Sequence, residues 1–135
     1  MAVKVFTLEE ANHHIPEIER ALLDLQEDVR EIVRLRDSAS VLELLGAADS
    51  RSPENKEWLL TQVQLDERIE GYNGRLNGIQ RLGCVLKDIN HGVVDFYGWK
   101  DGRLIFLCWR MGEKSIGYWH EVDAGMSARR PVSEL

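Results

Sequence analysis

Two periodicities divide this chain near Gly83, and each predicts a different kind of structure. Before that point apolar residues keep helical spacing. Ile15, Ile18, Leu22, Leu25, Val29 and Ile32 step by three and four and fall on one seam. Beyond Ile32 the stripe moves to Leu35, Ala39, Leu42 and Leu45, a one-residue slip that predicts local overwinding before Gly46 ends the helix. A second stripe follows the start signal Ser52-Pro53: Trp58, Leu65, Ile69, Tyr72, Leu76 and Ile79, with Gly83 as its stop. Residues 16–45 and 53–82 are equal runs, each about 45 Å long if helical. Joined by a turn over 47–51, they predict a long antiparallel helical hairpin with coiled-coil packing.

The hairpin has a short leader. Thr7 stands three residues before Glu10, the spacing of a capping box, and Pro16 fits the first turn of a new helix better than the interior of an old one. A short helix therefore precedes the long one. Two helices shield only one side of each other, so the seam predicts a partner, most simply a homodimer forming a four-helix bundle.

After Gly83 the period changes to two, with strands predicted at 93–97, 103–109 and 116–122. Asp101-Gly102 reads as a tight hairpin turn, which sets Lys100 opposite Arg103, Phe96 opposite Leu107, Val94 opposite Trp109 and Asp95 opposite Cys108. One face then carries Val94, Phe96, Ile105, Leu107 and Trp109 and is expected to pack on the helices. The other carries Asp95, Tyr97, Phe106, Cys108, Tyr118 and His120. The expected fold class is α+β, mainly α: a helical hairpin over 1–82 followed by a small three-stranded antiparallel sheet over 83–135, in a single domain.

Charge narrows the choice of partners. The chain carries 23 acidic and 17 basic residues, a net charge of −6, and the whole excess lies before Gly83. Phosphate backbones are repelled by such a balance, so no nucleic acid is expected; Arg129-Arg130 reads as part of a solvated tail. The longest dense apolar run, 104–109, is far too short to span a bilayer, so no membrane is expected. Residues 1–6 show no secretory pattern, and Cys84 and Cys108 match no metal spacing, which together point to two reduced thiols and a cytoplasmic address.

Candidate chemistry gathers near the C-terminus. Asp95, Tyr97, Cys108, Tyr118 and His120 share the polar-aromatic face and form a candidate surface for a small ligand or protein partner. His120, Glu121 and Asp123 supply ligand types suited to a divalent metal, although neighbours on a strand point to opposite faces. Asp95, Cys108 and His120 also have the residue types of a nucleophilic thiol with base and orienter, against the plainer reading of Cys108 as a small buried hydrophobe. Glu10 and His13 have the Glu-x-x-His spacing of di-iron bundles, but one copy is not a site and a solvated helix face explains it. No phosphate loop and no Gly-x-Ser-x-Gly elbow is present, which sets nucleotide chemistry and serine hydrolysis aside.

The opening Phe6-Thr7-Leu8-Glu9-Glu10-Ala11-Asn12, Pro16, and the later Gly83-Cys84, Lys87-Asp88, Gly92, Val94-Asp95-Phe96, Leu107-Cys108-Trp109-Arg110, Gly112-Glu113, Gly117-Tyr118-Trp119-His120-Glu121 and Asp123-Ala124-Gly125 form a specific set. On these residues the chain resembles, end to end, the prokaryotic domain-of-unknown-function family 2203. The resemblance implies a small intracellular protein of long helices with a short β-rich end. It supplies no reaction, substrate or catalytic residue. The residues themselves favour a non-enzymatic dimeric interaction or small-ligand-binding domain; the alternative is a divalent-metal-binding protein or metal-dependent enzyme with a site near His120.

Overall fold

A computed structural model describes residues 3–135; the first two positions of the opening segment lie outside the described residues. The helices are α1 (Leu8–His13), α2 (Ile15–Leu44) and α3 (Asn55–Arg81). The strands are β1 (Val85–Asp88), β2 (Val93–Lys100), β3 (Arg103–Arg110), β4 (Tyr118–Glu121) and β5 (Arg130–Pro131). They form one antiparallel sheet in the order β1-β2-β3-β4-β5.

Five strands, not three, correct the expected fold class. The two additions are the edges. β1 has four residues and a register shift between Leu86 and Asp88, so no alternating pattern survives for it to be read by. β5 has two residues, one of them a proline without an amide proton, and its place as an edge strand is the one a proline tolerates. It also corrects the reading of Arg129-Arg130 as a solvated tail: Arg130 pairs with Trp119 across the β4–β5 ladder.

The chain divides into two compact units, one of Met1–Leu23 with Asn77–Leu135 and one of Asp24–Leu76. In the first, Thr7 and Glu10 complete the capping box that starts α1. The Phe6 amide donates to the Tyr97 carbonyl at 2.8 Å, and the Phe6 ring meets Phe96 edge-on at 5.1 Å. Asn12 accepts the Ile116 amide at 2.7 Å, tying α1 to the segment before β4. Asp101 and Gly102 both have positive φ, the requirement of a two-residue turn that follows strand twist, and the register puts Lys100 opposite Arg103 and Asp95 opposite Cys108. At Gly92, with φ of 68°, a Cβ would lie 2.6 Å from the Met111 side chain, so glycine serves both the backbone and the close approach.

The second unit is two helices side by side. Its contacts join Ala47 to Asn55, Glu43 to Trp58 and Asp28 to Arg68, numbers that fall on one helix as they rise on the other, so the helices are antiparallel. The turn holds itself with Ser52, whose hydroxyl accepts the Glu54 amide; α3 starts at Asn55, two residues later than the Ser52-Pro53 signal indicates. The slip in the α2 stripe lies one turn earlier than expected. Leu25, Asp28, Leu35, Ala39 and Leu42 are the buried positions here, while Val29 is half-buried. Asp28 occupies an apolar site because Arg68 reaches its Oδ1 at 2.8 Å and Arg75 its Oδ2 at 3.4 Å.

Candidate functional site

Both faces of the sheet bury side chains, so the second face is less open than expected: of its candidate residues only Tyr97, half-buried, and Tyr118, exposed, reach the surface. Val94, Phe96, Ile105, Leu107 and Trp109 are buried on the first face; Asp95, Phe106, Cys108 and His120 are buried on the second. The second face is covered by its own unit. Tyr97 lies on Phe106 at 4.6 Å between ring centres, and the Lys87 ammonium stands 4.7 Å above the same ring. Arg129 lies over Tyr118 at 4.2 Å and pairs with Glu113 at 3.1 Å. Glu113 is itself fixed by the turn after β3, where it accepts the Arg110 amide while its carbonyl accepts Trp109 Nε1.

Beneath this cover the central strands bring three of the expected site residues together. Asp95 on β2 is opposite Cys108 on β3, which is opposite Tyr118 on β4; His120 follows two residues on, on the same face. Asp95, Cys108 and His120 are 1 %, 0 % and 2 % exposed, and their ligand atoms all lie within 4.8 Å of one another. Tyr97 is half-buried in the cover and Tyr118 is partly exposed beneath Arg129. Glu121 and Asp123 stay outside the group. Strand alternation turns Glu121 away, where Arg103 holds it at 2.6 Å and keeps its carboxyl below the usual range, and Asp123 is exposed beyond the strand end.

The hydrogen bonds of His120 define what the group lacks. Nδ1 faces the Glu121 carbonyl at 2.9 Å, an acceptor only, so Nδ1 carries a hydrogen. A neutral ring then offers a lone pair at Nε2, which faces Asp95 Oδ2, another acceptor when ionised, at 3.1 Å. A positive species must lie on that line: a proton or a metal ion. The other carboxylate oxygen, Asp95 Oδ1, is buried with no hydrogen-bond partner.

Nucleophilic chemistry at Cys108 finds little support in this geometry. Burial first, and the charge of Asp95 next, push its thiol up to about 12, while Arg129 pulls the other way. The thiolate is scarce near neutral pH, and both ring nitrogens of His120 are engaged elsewhere.

At the other candidate, Glu10 serves as the return half of the α1 capping box, and His14 pairs with Glu17 at 2.7 Å. His13 remains exposed beside a shallow depression that it shares with Phe6 and Asn12. Glu-x-x-His is here a capped helix end.

Sequence reasoning missed Arg129, Glu113 and Lys87, which cover the buried group. The turn motif Gly112-Glu113 was the available signal for one of them.

A family model described as an uncharacterised conserved protein family, DUF2203, matches residues 4–132. No curated protein and no solved structure matches the chain.

Proposed function

The chain belongs to the uncharacterised conserved family DUF2203, and on that premise we propose that it is a non-enzymatic interaction protein that works as a homodimer through its helical unit. The observation carrying this reading is a second apolar strip on each helix. Val33, Val41 and Leu44 of α2 lie on the side away from its buried positions, as do Leu59, Leu60 and Val63 of α3, and all six are more than half exposed. Leu44 is 87 % exposed at the end of α2. The antiparallel pairing brings residues 41–44 and 59–63 to the same level near the turn, so apolar side chains flank both helices there. Large apolar side chains gathered in this way mark contact sites.

A second copy is the occupant that fits. Helix pairs close such strips by laying a further pair alongside, and closed two-fold pairing is the common way for one surface to satisfy itself. A cytoplasmic location belongs to the same reading, supported by Cys84 and Cys108, which are free and buried as a reducing compartment allows. No helix among the described residues is long and apolar enough to cross a membrane.

Sedimentation at micromolar concentration tests the proposal. A dimer is expected for the natural sequence, and a monomer of unchanged helicity for Leu44→Glu combined with Leu60→Glu. A monomer for the natural chain, or a dimer that survives the double substitution, overturns it.

A further inference from the structure

We propose that Asp95, Cys108 and His120 form a closed binding site for one zinc-type divalent metal ion, a role independent of helical self-association. The residues lie side by side on the three central strands, where cross-strand pairing holds them on one face. Tetrahedral zinc with bonds of about 2.0–2.3 Å keeps its ligand atoms roughly 3.3–3.8 Å apart. The separations here, 3.1 Å between Asp95 Oδ2 and His120 Nε2 and none above 4.8 Å within the group, need only small side-chain adjustment to match.

Three further observations point to a cation. With Nδ1 donating to the Glu121 carbonyl, the 3.1 Å contact between Nε2 and Oδ2 is bridged by a shared proton, a place that a metal can take by accepting both lone pairs. Oδ1 is buried with no hydrogen-bond partner, so the carboxylate is free to turn toward an ion, and the residues supply three donor atoms, one each: a carboxylate oxygen, a thiolate sulfur and an imidazole nitrogen. The Nδ1 hydrogen bond to the Glu121 carbonyl is the outer contact that metal-bound histidines use to fix their tautomer. Sulfur and nitrogen donors select zinc over calcium or magnesium.

The charges also agree. A carboxylate and a thiolate neutralise a dication, and Arg129, the cation that favours the Cys108 thiolate, is also paired with Glu113. Binding displaces the thiol proton and the proton shared by Asp95 and His120 to solvent, while Nδ1 keeps its own. The site is closed, and a metal there serves stability.

The test uses the full chain without an affinity tag, stripped with a chelator and titrated with Zn²⁺ against a chromophoric competitor, then with Co²⁺. One equivalent is expected, with a thiolate-to-cobalt charge-transfer band and a rise in melting temperature on adding Zn²⁺. Cys108→Ser is expected to lose the band and weaken binding by more than about tenfold. His13→Ala, on the exposed helix end, is expected to change neither. The spectrum of the natural chain decides the matter even where a variant fails to fold. Absence of stoichiometric binding, a cobalt spectrum lacking the thiolate band, or a folded Cys108→Ser variant that binds as tightly as the natural chain overturns the proposal.

Discussion

Along β3, five consecutive residues from Ile105 to Trp109 are buried, side chains on both faces alike, and on the second face Lys87 lies over Phe106 and Arg129 over Tyr118. Along α2 and α3, buried positions on one side are answered by exposed leucines and valines on the other. The strand is the more apolar of the two, and it is also the one whose apolar side chains are covered. On the second face of the sheet that cover comes from Lys87 and Arg129 of the same chain. The outer strips of the helices are left exposed, and a second copy is the cover proposed for them.

Breaking the sheet at its centre should have the largest effect. Trp109 is fully buried and its indole nitrogen donates to the Glu113 carbonyl, so Trp109→Ala is expected to cost about 3–5 kcal/mol in urea unfolding. The same truncation at exposed Leu60 is expected to change monomer stability by no more than about 0.5 kcal/mol.

Within the helical unit, Asp28 sharpens the comparison. Arg68→Ala is expected to destabilise by about 1–3 kcal/mol, since Arg75 still partly compensates the buried carboxylate. Asp28→Leu removes the charge and completes the apolar stripe, and is expected to be neutral or stabilising by up to about 1–4 kcal/mol. Thermal unfolding should therefore come earlier in Arg68→Ala and no earlier in Asp28→Leu than in the natural chain.

A smaller effect comes from alkali. Burial raises the Cys84 thiol from 9.0 to about 11, so the folded chain holds this proton where the unfolded chain has lost it. That contribution is complete below pH 9 and is lost as pH rises toward 11, amounting to at most about 2–3 kcal/mol. Cys84→Ala should flatten the decline in denaturant midpoint over this range.

The sequence was most legible where structure is local. The Asp101-Gly102 turn determines the β2–β3 register through nearest neighbours, and that register alone puts Asp95 opposite Cys108. His120 joins them by strand alternation, a rule that equally excludes Glu121. What escaped depends on distant partners. Asp28 reads as a fault in an apolar stripe until Arg68, forty residues on, is seen to neutralise it. Closure of the second sheet face depends on Arg129 reaching Tyr118 and Glu113, contacts that no periodicity records. β1 and β5 are too short to carry a pattern of their own.

Amide hydrogen exchange followed at two protein concentrations, one well above and one well below the midpoint of the proposed dimer, tests the contrast between the units most directly. Protection in residues 24–76 is expected to fall on dilution while β2 and β3 keep theirs. Equal protection of the helices at both concentrations would contradict the account, because the outer strips would then need no second molecule.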